Sequence, residues 1–99
     1  MAVYWLSFRL ETNSTYSERY DDLTKTIDIN SSKWWYGTSS FFVFESVASI
    51  DEMVVVVKNA VDERVDLVLI GMPEFKSARI IGVNDDQDIF ALMPFTKKA

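Results

Sequence analysis

From Val3 to Leu10 the chain alternates. Tyr4, Leu6, Phe8 and Leu10 interleave with Val3, Trp5, Ser7 and Arg9. A period of two predicts a strand whose first set faces the better core. After the polar connection Glu11–Ser14, the period lengthens. Tyr16, Tyr20, Leu23 and Ile27 recur at helical spacing and make one stripe of an amphipathic helix, which Asn30–Ser32 ends. Glu18, Asp21 and Asp22 fall early in that helix and Lys25 late, as its dipole favours. Lys33–Tyr36 and Phe41–Glu45 read as two strands around the turn-forming Gly37–Ser40, which makes a hairpin.

Met53–Val57 is the ambiguous segment, because four consecutive valines favour a strand. Two features favour a helix. Ile50, Met53, Val54, Val57 and Val61 share one helical face, and Ser49–Ile50–Asp51–Glu52 is a capping-box pattern just ahead of them. Thr15–Tyr16–Ser17–Glu18 repeats the same pattern before the first helix. Leu67–Ile70 is a short apolar run ending at Gly71, as in a buried strand. Phe75–Val83 fits a further strand or an irregular extension, and Asn84–Asp88 a turn. Ile89–Met93 is a last apolar element before Pro94 and a polar tail, Thr96–Ala99.

The order strand–helix–strand–strand–helix–strand predicts a single α+β domain over residues 1–99. Its expected form is a ferredoxin-like βαββαβ sandwich: a four-stranded antiparallel sheet, two helices on one face, and a short C-terminal strand-like extension. Two helices leave the other face open, although Phe41 and Val43 oppose Phe42 and Phe44, and Leu67 and Leu69 oppose Val68 and Ile70. Such a face calls for a symmetric dimer or for a C-terminal segment folded back over the sheet. The dimer is the preferred expectation. Trp5, Trp35, Phe41, Val43, Ile89 and Phe90 would form its interface, and Ile89–Phe95 would add to the partner's sheet.

Composition narrows the chemistry. The chain has no cysteine and no histidine, which excludes thiolate nucleophiles, zinc–sulfur sites and histidine triads. Fifteen acidic residues against ten basic give a net charge of −5, which lowers the expectation of nucleic-acid binding. No run approaches the roughly 20 apolar residues of a membrane span, and the start of the chain resembles no signal peptide. The expectation is a cytoplasmic protein.

Asp85, Asp86 and Asp88 lack the glycine and distal glutamate of a calcium loop and read as a solvated turn, as do Asp62, Glu63 and Asp66. Arg9, Lys33, Lys76 and Arg79 are the cations that could converge near the sheet, with Arg9, Lys76 and Arg79 as a conceivable phosphate site. Trp34–Trp35–Tyr36 could stack bases, but alternation sends Trp34 and Tyr36 one way and Trp35 the other. No cofactor and no metal site is expected.

Ser32–Trp35, Ser40–Ser46, Asp66–Gly71 and Phe75–Arg79 resemble a group of small bacterial proteins that carry a SinR-family label. That resemblance spans nearly the whole chain and implies no particular activity. More remotely, the architecture is similar to the small subunit of CRISPR adaptation complexes and to the VapD ribonucleases. Those families imply a homodimer and, in active members, metal-assisted phosphodiester cleavage by an aspartate at the end of the first strand. Here that region reads Ser7–Phe8–Arg9–Leu10–Glu11, so Glu11 is the nearest carboxylate to that role. Three functions follow: a noncatalytic homodimeric assembly module, which is preferred, a metal-dependent ribonuclease, or an acidic nucleic-acid-binding regulator.

Overall fold

Tyr4, Leu6 and Phe8 form the central row of the core, and the computed structural model, which describes residues Met1 to Ala99, builds outward from it. They belong to β1 (Ala2–Arg9). There follow α1 (Tyr16–Asn30), the hairpin β2 (Lys33–Thr38) and β3 (Phe41–Ser46), then α2 (Ile50–Ala60) and β4 (Leu67–Gly71). The first six elements therefore run β-α-β-β-α-β. Leu23 and Ile27 of α1 and Met53, Val54, Val57 and Ala60 of α2 join one core with Tyr4, Leu6, Phe42, Phe44, Val68 and Ile70. Both helices thus cover the same face of the sheet. Tyr4 adds a polar anchor, its hydroxyl donating to the Ala48 carbonyl at 2.6 Å. Burial, with Glu52 a lesser influence, raises its pKa.

The sheet is larger than expected. It has six strands in the order β2-β3-β1-β4-β5-β6, not four. The chain after β4 supplies the additions: β5 (Ala78–Gly82), a short helix α3 (Asp88–Leu92) and β6 (Thr96–Lys98). β5 lies antiparallel to β4, and β6 lies parallel to β5, so the sheet is mixed. The apolar run expected at Ile89–Met93 winds mainly into α3 and is helical, where a strand-like element was expected. The polar tail becomes the edge strand because its backbone groups pair with β5 while Lys97 and Lys98 stay in water. Charged, very short edges of this kind resist further strand addition.

The valine run is helical, and its cap explains why. Glu52 N–H donates to Ser49 Oγ at 3.2 Å, and Ser49 N–H donates to Glu52 Oε1 at 2.9 Å. The hydrogen bonds from Ser49 hold the Glu52 carboxyl below its ordinary value. That contribution is complete above the unfolded value of 4.5 and is lost as pH falls through the lower folded value. Ser49→Ala should cost about 1 kcal/mol in urea unfolding at pH 7. The stability gap between wild type and Glu52→Gln should narrow as the medium is acidified.

The matching box at Thr15 does not form. Thr15 N–H and its hydroxyl both donate to Asn13 Oδ1, at 3.1 and 3.2 Å, while Thr15 Oγ accepts from Arg19 Nε at 3.1 Å. No side chain caps α1. Arg19 is 8% exposed, and a buried guanidinium needs acceptors more than a helix end needs a cap.

Candidate interaction face

In antiparallel strands, residues opposite each other project to the same side. Val43 lies opposite both Trp35 and Trp5, Trp5 opposite Gly71, Phe41 opposite Ser7, Ser7 opposite Leu69, and Leu69 opposite Ile80. These residues alternate with the core rows, so they make the face away from α1 and α2. Val3, Trp5, Phe41, Val43 and Leu69 are only half-buried there, and Trp35 is 50% exposed.

Two glycines shape this surface. A Cβ on Gly71 would stand 2.4 Å from Trp5 Cζ2, and one on Gly37 would stand 2.4 Å from Trp35 Cζ2. Each indole therefore lies down over a neighbouring glycine; Trp35 is half exposed, whereas Trp5 borders a hollow shared with Phe75, Met93 and Phe95. Phe41 meets Trp35 edge-on, with centroids 6.4 Å apart. On the core side Trp34 packs against Tyr36 at 4.3 Å and against Phe42 at 5.3 Å. The aromatic triplet is divided between the two faces as alternation requires.

The C-terminal segment covers the other end of the open face. Ala78 and Ile80 are 0% and 6% exposed, yet they stand outside the main core cluster. Ile89 and Leu92 of α3 line a groove with Leu67, Leu69 and Ile80. Ile89 is therefore engaged within its own chain. Phe90 turns towards the β6 edge, with Lys98 Nζ 5.9 Å from its ring centre. The six residues expected at an interface thus divide. Trp5, Trp35, Phe41 and Val43 share the part of the face outside α3, with Trp5 at its border beside Met93 and Phe95, and Ile89 and Phe90 do not belong to it.

The cations do not share a site. Arg9 lies opposite Leu67 on the open face. Arg79 lies opposite Ile70 and so projects to the helix side, where its guanidinium stands 3.6 Å from Asp51. Lys76 is exposed in the connection between β4 and β5, and Lys33 is exposed at the start of edge strand β2. A phosphate site built on Arg9 and Arg79 together is excluded by the sheet between them.

Glu11 is held by its backbone. Its N–H donates to Asp66 Oδ1 at 2.8 Å, and its carbonyl accepts from Arg19 Nη2 at 2.8 Å, while the residue itself is exposed. Asp66 is fully buried, pairs with Arg19, and also accepts from Asp62 N–H at 2.8 Å. Every oxygen of Asp66 is engaged, so it is a structural junction and offers no free base beside Glu11. No group of three or more acidic side chains is placed to hold a metal ion. Nearby, Arg64 forks onto Asp62 at 3.0 and 2.9 Å, and those bonds lower the Asp62 pKa to about 2.

No helix is long and apolar enough to cross a membrane. Comparison with protein-family models, curated proteins and solved structures found no match.

Proposed function

We propose that the chain is a homodimeric assembly module whose interface is the part of the open face formed by Trp5, Trp35, Phe41 and Val43, and that its first six elements constitute a ferredoxin-like sandwich. The strand order β2-β3-β1-β4, antiparallel throughout, supports the fold reading. The observation that carries the functional reading is the pair of indoles laid over Gly37 and Gly71 on the one part of the sheet that neither α1, α2 nor α3 covers. Rigid aromatic rings lose little side-chain entropy on contact and dominate the energetics of protein interfaces. A two-fold axis through this surface would bring each such ring against the same patch of a second copy, as closed dimers require.

Light scattering and sedimentation should report a dimer at micromolar concentration. Trp5→Arg and Val43→Glu should each weaken it at least tenfold, because a desolvated, unpaired charge costs more than about 1.4 kcal/mol at an interface. Both side chains are partly exposed, so each variant should remain folded by circular dichroism. A wild-type monomer at that concentration would overturn the proposal.

A further inference from the structure

The groove beneath α3 has chemistry that the rest of the open face lacks. Its volume is about 330 Å3, at the small end of the roughly 300–1,000 Å3 typical of small-molecule sites. Leu67, Leu69 and Ile80 form its floor, and Ile89 and Leu92 its outer wall. Arg9, Asp86 and Asp88 also line it. Charges of opposite sign thus border one small groove, yet no ion pair within 4.0 Å joins them. Arg9 makes no side-chain hydrogen bond within the chain either. Asp86 Oδ1 accepts only from Asp88 N–H, at 2.9 Å. Asn84, also in the lining, holds a buried side-chain nitrogen without an acceptor, while its Oδ1 accepts from Asp86 N–H at 3.3 Å.

An apolar floor beside an unpaired guanidinium and unpaired carboxylates has a specific complement. It is a small molecule with an apolar body and both charges at one end. A fatty or aryl carboxylate would satisfy Arg9 but meet repulsion from Asp86 and Asp88. An apolar amine would leave Arg9 without a partner. We propose that this groove binds the zwitterion of an apolar α-amino acid. Arg9 receives its carboxylate, Asp86 and Asp88 its ammonium group, and the floor its side chain. Charge-assisted hydrogen bonds to both charged groups give selectivity, and the small volume favours a free amino acid over a peptide. The groove lies within one chain, so the inference stands independently of the dimer.

Calorimetric titration of the full chain with L-phenylalanine, 3-phenylpropionate and 2-phenylethylamine tests this directly. L-Phenylalanine should bind roughly tenfold or more tightly than either analogue, since each analogue lacks one charge-assisted contact. It should also shift the amide resonances of Arg9, Leu69, Ile80 and Ile89. Arg9→Gln and Asp88→Asn change exposed side chains and should each weaken L-phenylalanine by a similar factor. Equal affinity for all three probes would reveal a bare apolar groove and overturn the proposal. So would unchanged affinity in Arg9→Gln, or no binding of L-phenylalanine at millimolar concentration.

Discussion

Asp66→Ala should destabilise the chain by about 3–5 kcal/mol, the usual cost of stranding one member of a buried ion pair. Asp66 is 0% exposed, and its carboxylate accepts from Arg19, Glu11 N–H and Asp62 N–H. Removing it leaves a guanidinium and two backbone donors facing a gap. Domains of this size have roughly 5–15 kcal/mol in total, so the loss is a large fraction of stability. Urea unfolding should show a lower midpoint with little change in slope. Asp66→Asn should cost less but not be neutral. One amide oxygen cannot serve Glu11 N–H on one side and Asp62 N–H on the other. Arg19→Met on top of Asp66→Ala should recover part of the loss, because it removes the stranded charge and leaves an apolar side chain beside the core. A cost below about 1 kcal/mol for Asp66→Ala would show that the junction does not hold the loops around it.

That junction is also where the sequence was hardest to read. Asp66 sits among Asp62 and Glu63, and local composition favours a solvated turn. Only the third dimension shows that its carboxylate closes the space between the loop before α1 and the loop after α2. Arg19 did leave a signal. It is three residues after Tyr16 and four before Leu23, inside the apolar stripe of α1, where a charged residue needs a partner. The same competition explains why two identical capping patterns had different outcomes. Ser49 has no rival for its hydroxyl, whereas Thr15 lies one helical turn before Arg19 and its oxygen is taken.

Elsewhere the pattern was legible because burial enforced it. Alternation in β1 and β3, the split of Trp34 from Trp35, and the helical spacing within the valine run all reflect one apolar core. The C-terminal third obeyed a weaker constraint. β6 is held by backbone pairing to β5, which leaves no periodicity in Thr96–Lys98 to detect. The open face was foreseen, but not its division. Phe41, Val43 and Trp35 remained outside the cover of α3, while Ile80 and Leu69 acquired it as a partner. Which half an apolar strand residue belongs to depends on where residues 83–99 return, and hydrophobic pattern carries no such information.

Gly82→Ala is the second large effect and follows from the same junction. Gly82 has φ +96°, which L side chains rarely adopt. A Cβ there would lie 1.9 Å from the Asp66 carbonyl oxygen and 3.3 Å from that of Glu63. Both contacts are backbone atoms, so no side chain can swing aside. The Asp66 carbonyl is also the acceptor for Val83 N–H at 2.9 Å, and moving it breaks the link that ties the end of β5 to the loop before β4. Backbone strain and the displaced loop together should cost roughly 3 kcal/mol or more. A D-alanine introduced at this position by chemical synthesis separates the two causes. It accepts a positive φ and points its methyl elsewhere, so it should retain near-wild-type stability. Combined with Asp66→Ala, the L-alanine substitution should be less than additive, because a loop no longer pinned by its carboxylate can yield to the new methyl group. Strict additivity would mean that Gly82 and the Arg19–Asp66 pair act on separate parts of the fold.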